Sequence, residues 1–141
     1  MVKSMRTQRA SLVSWRSKRL KRIVTSSTAA EALAINDTVG EAVYIQAVLG
    51  EVLGPTEQKV PIKVFTDSKN LCKAASTSAM VEDSKLRLDL AILKESLETR
   101  EIEELNFVKS GKMLANSLTK KGASSKSLMA VLRNGEMRDF I

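Results

Sequence analysis

The stretch Ser26-Ser27-Thr28-Ala29-Ala30-Glu31-Ala32-Leu33-Ala34 decides how the rest of the chain is read, because the apolar period changes across it. Upstream, Leu12, Val13, Trp15, Ile23 and Val24 are scattered among basic residues in short strand-like runs. Downstream, Ile35, Val39, Ala42, Leu49 and Leu53 recur at helical spacing for several turns. Ser-Ser-Thr punctuates the two. Thr28 with Glu31 has the S/T-x-x-E form of a capping box, in which side chains satisfy orphan backbone N–H groups of the first turn. Glu31 therefore has two readings: a helix cap, or a metal-binding carboxylate aimed across a sheet edge, with partners elsewhere in the chain.

Composition narrows the classes. A chain of 141 residues is sized for one domain with a real core, and 43% hydrophobic with 28% charged residues is a globular balance. No apolar run reaches membrane-spanning length, so no membrane partner is expected. The basic N-terminus lacks the apolar segment of a secretory signal, and it matches a mitochondrial presequence in composition only. The single cysteine, Cys72, excludes an internal disulfide and points to a reducing, intracellular setting, cytoplasmic or nuclear. With no histidine, the common zinc sites and every His-based triad are ruled out.

The net charge of +7 is unevenly spread. Met1 to Arg22 holds eight Lys or Arg and no acid, and Lys109 to Arg133 holds six and no acid. Eight of the sixteen acids fall between Glu82 and Glu104. Two basic terminal segments suit a phosphate backbone, through contacts that are salt-sensitive and blind to sequence. A solvated basic surface has the same charge pattern, so charge alone leaves both readings open.

Taken in order, Ser11 to Lys18 (SLVSWRSK) and Lys21 to Thr25 are strand candidates, joined as a hairpin through Arg19-Leu20 without a Gly or Asn at the turn. The long helix runs from Ser27 to about Leu53 and closes at Gly54-Pro55. Val60 to Thr66 alternates as a strand and ends in Asp67-Ser68, followed by a short helix from Lys69 to about Ala75. An Asp at that junction is where α/β folds put site residues, and equally where a helix N-cap sits. Val81 to Arg100 is a second long helix, with a stripe of Leu86, Leu90, Leu93 and Leu97. Its charges are spaced to pair as Asp83 with Arg87, Lys85 with Asp89, and Lys94 with Glu98, which makes Asp89 a surface partner. Ile102 to Val108 is a further strand, and Met113 to Arg133 is helical with a break at Gly122. The expected core is Leu33, Val39, Ala42, Leu49, Ile62, Val64, Leu86, Leu90, Leu93, Leu97, Leu105 and Phe107.

Three quoted segments in this order carry a resemblance. They are Val13 to Arg19 (VSWRSKR) with the Ser-Ser-Thr-x-Ala-Glu opening of the first helix, Val64 to Leu71 (VFTDSKNL), and Leu114 to Ser124 (LANSLTKKGAS). Together the chain resembles the ribonuclease H domain of copia-type retrotransposon Pol polyproteins, over about Leu12 to Gly135. The resemblance implies an α/β fold with a mixed sheet flanked by helices. It divides the chain into a basic N-terminal segment over 1–10, the ribonuclease H-like domain over 11–135 and a tail over 136–141.

It also implies a cluster of four carboxylates holding two Mg²⁺ ions that cut the RNA strand of an RNA–DNA hybrid. Mg²⁺ is a hard ion preferring oxygen ligands, and a metal pair clamps the attacking and leaving oxygens. Position by position, Glu31 matches the first-helix Glu and Asp67 the Asp after the middle strand, and these two are the metal-ligand candidates. Asn116 stands where the family has an Asp, and the first family Asp has no counterpart, because its strand precedes the Trp15 segment and only Met1 to Ala10 stands there. That strand lies at the centre of the family's sheet, so the resemblance implies a domain lacking its first strand. Met1-Val2-Lys3 then reads as an internal start within a longer polyprotein whose reverse-transcriptase segment lies upstream.

Arg16, Lys18, Arg19, Lys21, Arg22, Lys69, Lys109, Lys112, Lys120 and Lys121 are the candidates for contact with hybrid or other nucleic acid. Two readings stand beside the degenerate nuclease: a non-catalytic nucleic-acid-binding module, and an unrelated structural α/β protein in which Glu31 and Asp67 are only caps.

Overall fold

The computed structural model describes residues 8–54, 59–78 and 80–137, and in it the long helix α1 spans Ser27–Leu53. Its N-cap is Ser26, whose hydroxyl accepts from the Ala29 backbone N–H at 3.1 Å. The helix spans the expected Ser27 to Leu53, but its cap is Ser26 and not Thr28, so Glu31 falls in the second turn. An extended Ser26 aims its oxygen at the N3 donor, which leaves no capping role for Thr28. The helix runs unbroken through Gly40 and stops at Gly54, whose φ of 83° is open to glycine at little cost.

The remaining elements follow in chain order. A two-residue strand β1 covers Gln8–Arg9. After α1 come β2 (Lys63–Thr66), α2 (Lys69–Ser76), α3 (Ser84–Glu98) and β3 (Glu104–Phe107). A 3₁₀ turn over Ser110–Lys112, a single-turn α4 (Asn116–Thr119), α5 (Lys126–Asn134) and β4 (Glu136–Met137) complete the chain. The molecule is thus of mixed α/β class.

The described residues hold two separate two-stranded sheets in place of one mixed sheet. They belong to two compact units, a central one over residues 20–107 and a terminal one joining 1–19 to 108–141. In the central unit β2 and β3 are parallel, in register from Lys63 opposite Glu104 to Thr66 opposite Phe107. A parallel pair needs a crossover, and α2 with α3 supplies it. In the terminal unit β1 and β4 are antiparallel, and Ala10 N–H donates to the Gly135 carbonyl at 2.8 Å. Gly135 ends α5 in the left-handed region, at φ 63°.

The predicted hairpin over 11–25 does not form. Ser11 to Arg19 is irregular and exposed, with Trp15 at 64%. Its turn has no residue suited to the tight connection, and five cations crowd Arg16 to Arg22. Residues 22–25 are held instead by side chains: Arg22 pairs with Asp89, and the Thr25 hydroxyl donates to Asp83.

The core of the central unit joins Ala29, Ala32, Ile35 and Val39 of α1 to Leu71 of α2, Leu86, Leu90 and Leu93 of α3, and Ile102. The alanines let α1 and α3 approach closely, and Ile62, Val64, Leu97 and Leu105 pack against the rim. Leu33 and Ala42 are half-buried. Two expected core residues, Leu49 at 37% and Phe107 at 39%, are exposed. Phe107 ends its strand.

The expected i, i+4 pairs on α3 are also absent. Asp83 is its N-cap, accepting from Lys85 N–H at 2.9 Å and Leu86 N–H at 3.2 Å. Arg87 donates to the Val81 and Glu82 carbonyls, and Lys94 to the Thr77 carbonyl at 2.6 Å. Asp89 is no surface residue but is 3% exposed, facing Arg22.

Leu93 has no exposed surface, so Leu93→Ala is expected to cost about 2–5 kcal/mol in urea unfolding followed by circular dichroism. The titrating contacts give a pH dependence with a definite sign. The Thr25 hydroxyl, and then the Leu86 amide, hold the Asp83 carboxyl below its ordinary value; the Lys63 ammonium does the same for Glu104. Both contributions are complete above the ordinary carboxylate pKa and are lost as pH falls through the depressed folded values. Lys63 is raised, chiefly by its hydrogen bond to Glu104, so its share is lost only as pH rises past 10.5. The melting midpoint should therefore fall on acidification below the ordinary carboxylate range, and Asp83→Asn should flatten that fall.

Candidate functional site

Neither carboxylate singled out in the sequence caps its helix. Glu31 stands one turn inside α1, half-buried, because Ser26 holds the cap. Asp67 is half-buried, directly after β2 at the carboxyl end of the parallel pair, and the cap of α2 is Ser68. The Ser68 hydroxyl accepts from Leu71 N–H at 3.3 Å, while Ser68 N–H donates to the buried Thr66 hydroxyl at 3.2 Å. A nearby serine is the N-cap in each case.

Glu31 and Asp67 lie in the central unit and Asn116 in the terminal one. Asn116 opens α4, and its side-chain amide donates to the Ser110 carbonyl, turning the nitrogen inward on its own loop. Among the described residues no group of three or more Cys, Asp or Glu is arranged to hold a metal ion. The oxygen chemistry of Glu31 and Asp67 suits Mg²⁺, but their number does not suit a pair of ions. Two Mg²⁺ bring four positive charges against two carboxylates, and repulsion between close divalent ions is severe without further anions. The residues present do not fit the two-ion site, and no hydrolytic step follows from them. Partial burial pushes the Cys72 thiol up, away from the reactive thiolate.

The basic candidates separate by unit. Arg16, Lys18, Arg19, Lys109, Lys112, Lys120 and Lys121 all lie in the terminal unit, all exposed. There the Ser17 hydroxyl donates to the Leu118 carbonyl at 3.3 Å, across 101 positions of sequence. This tie lays the Arg16–Arg19 run beside the turn that carries Lys120 and Lys121. Ser17 is invisible to sequence reasoning, since a lone serine in a basic run carries no signal for so distant a carbonyl. An open cleft in the same unit is lined by Arg9, Ala10, Ser11, Asn134, Gly135 and Glu136, none of them a sequence candidate.

In the central unit Lys21 is exposed, whereas Arg22 is committed to Asp89 and is no longer a phosphate contact. Lys69 lies with its Nζ 5.3 Å from the centroid of the Phe107 ring. That contact depends on the parallel register, which brings the ends of β2 and β3 together.

Compared with family models, curated proteins and solved structures, the chain matches none. Among the described residues no helix is long and apolar enough to cross a membrane.

The cap assignment is directly testable. Ser26→Ala should cost about 0.5–2 kcal/mol, the usual loss at an N-cap. Thr28→Ala should cost clearly less, and thermal unfolding of the two variants side by side reads the difference.

Proposed function

We propose that this chain is a ribonuclease H-related domain of the copia type with a depleted carboxylate set, which holds RNA–DNA hybrid or other nucleic acid without cutting it. The gathering of Arg16, Lys18, Arg19, Lys120 and Lys121 by the Ser17–Leu118 hydrogen bond carries the binding half of this reading. A duplex presents phosphates at close, regular spacing, and clustered exposed cations bind it by releasing its counterions.

The relation to the nuclease family is supported by Glu31 and Asp67, neither of which is the N-cap of its helix. The Gln46 side-chain amide donates to the Val60 carbonyl, and Ile62 and Val64 pack against the cluster that holds Val39, Ile35 and Ala32.

The test is binding and cleavage of a labelled RNA–DNA hybrid by the purified chain in Mg²⁺. Binding should be weak and steeply salt-dependent. Lys120→Glu with Lys121→Glu should flatten the plot of log affinity against log salt by about 0.9 for each phosphate that is no longer neutralised. Cleavage should be negligible, and Asn116→Asp alone should not restore it. Robust cleavage by the unmodified chain, abolished in Asp67→Asn, would overturn the charge argument; salt-independent binding would overturn the phosphate contact.

A further inference from the structure

Segment 11–19 of the terminal unit holds the largest side chain of the sequence out in water. Trp15 is 64% exposed, although tryptophan is highly buried on average in folded proteins. Val13 and Leu12, both exposed, extend the apolar surface on its N-terminal side. On its C-terminal side follow Arg16, Lys18 and Arg19, all exposed, and the Ser17–Leu118 hydrogen bond brings the turn of Lys120 and Lys121 alongside. An open indole thus stands at the edge of a cationic cluster.

The charge around it selects the occupant. Residues 1–19 and 108–141, which make up the unit, hold thirteen Lys or Arg against two acids, Glu136 and Asp139. The rest of the chain holds ten against fourteen. The unit therefore suits a polyanion, and the indole suits a flat apolar face carried by that same polyanion. Each nucleotide of a single strand offers both, a phosphate and an unstacked base. Paired bases inside a duplex already stack on one another and have no face to give.

Two other occupants fit less well. An anionic lipid surface would also meet the charge, but segments that lie in a membrane interface are amphipathic helices. Residues 11–19 form no helix, so their backbone would enter the apolar layer without a helical ladder to satisfy its polar groups. A second copy laid face to face on this unit brings the same excess of cations, and like charges oppose.

We propose that Trp15 is a stacking platform for an unpaired nucleobase, on a strand held through its phosphates by Arg16, Lys18, Arg19, Lys120 and Lys121. This rests on the nucleic-acid reading given above and narrows it to a single-stranded stretch. Stacking uses the face of a base and not its edges, so the contact has no strong sequence preference.

The probes are two labelled strands of about 12 nucleotides, one of thymidine and one abasic, equal in length and charge, beside a blunt RNA–DNA hybrid. Fluorescence anisotropy with the full chain should show the thymidine strand bound about tenfold or more tighter than the abasic one. Trp15→Ala should remove that difference by weakening the thymidine strand alone, and Trp15→Phe should restore most of it. Lys120→Glu with Lys121→Glu should weaken both strands alike, because it acts on phosphate.

Equal binding of the two strands overturns the proposal, and salt-sensitive binding of all three probes would then leave the phosphate contact standing. A Trp15→Ala chain that loses both strands equally shows a merely structural indole and also overturns it. Flotation of the chain with anionic vesicles, or a dimer in sedimentation, either of them abolished by Trp15→Ala, would put a membrane or a second copy on the indole instead. Binding of no probe removes the proposal and the phosphate contact together.

Discussion

Asp89 lies on α3 with 3% of its surface exposed, in the packed layer between that helix and α1. A carboxylate so far out of water is tolerable only with a counter-charge and hydrogen bonds close at hand. Arg22 supplies the charge, and the Asn36 amide fixes the neighbouring backbone by donating to the Asp89 carbonyl at 2.9 Å. The requirement reaches beyond the pair. Residues 22–25 must lie against α3 instead of extending into a ladder, and Thr25 then meets Asp83. The start of α1 is thereby set beside the start of α3. Removing one partner from such a pair is worse than never having had it, because the other charge stays behind. The arrangement is not fully relaxed: Arg22 Nε is buried without a hydrogen-bond partner among the described residues.

What can be read from the sequence divides along physical lines. The helices α1, α2 and α3 and the strands β2 and β3 follow from period and punctuation, since each has a core-facing repeat and polar or glycine stops. The Leu86, Leu90 and Leu93 stripe is buried as its spacing requires. Cap identity slips where serines and threonines compete for one position, as Ser26 and Thr28 do, although the span of α1 is as expected. The fate of residues 11–25 is not legible, because strand propensity is a statement about a surface to pair with, and no local pattern reports whether that surface exists. Asp89 misleads for a related reason. Its spacing to Lys85 is that of a surface pair, and only the tertiary position of Arg22, 67 residues earlier, makes it a core group. Glu31 and Asp67 are legible as candidates, yet their release from capping depends on which nearby serine takes each cap.

The parallel pair β2–β3 is a small remnant on which to build a core. No third strand joins it among the described residues, and parallel strands are stable mainly when helices cover them. The helices compensate by packing on one another: Ala29 and Ala32 of α1 meet the leucines of α3, and Leu71 fills the space below α2. The central unit is closer in character to a helical cluster with a two-stranded floor than to a sheet with helices laid on it. The same economy leaves Val48, Leu49, Val52 and Leu53 at the end of α1 exposed.

Trp15 is the sole tryptophan, and it stands 64% exposed in the irregular segment of the terminal unit. The indole is therefore already solvated in the native molecule, and its emission is red-shifted before any denaturant is added. The same placement makes it a sensitive local probe. Trp15 sits next to Arg16 and two residues from Ser17, so a nucleobase or phosphate arriving at that basic run would quench it directly.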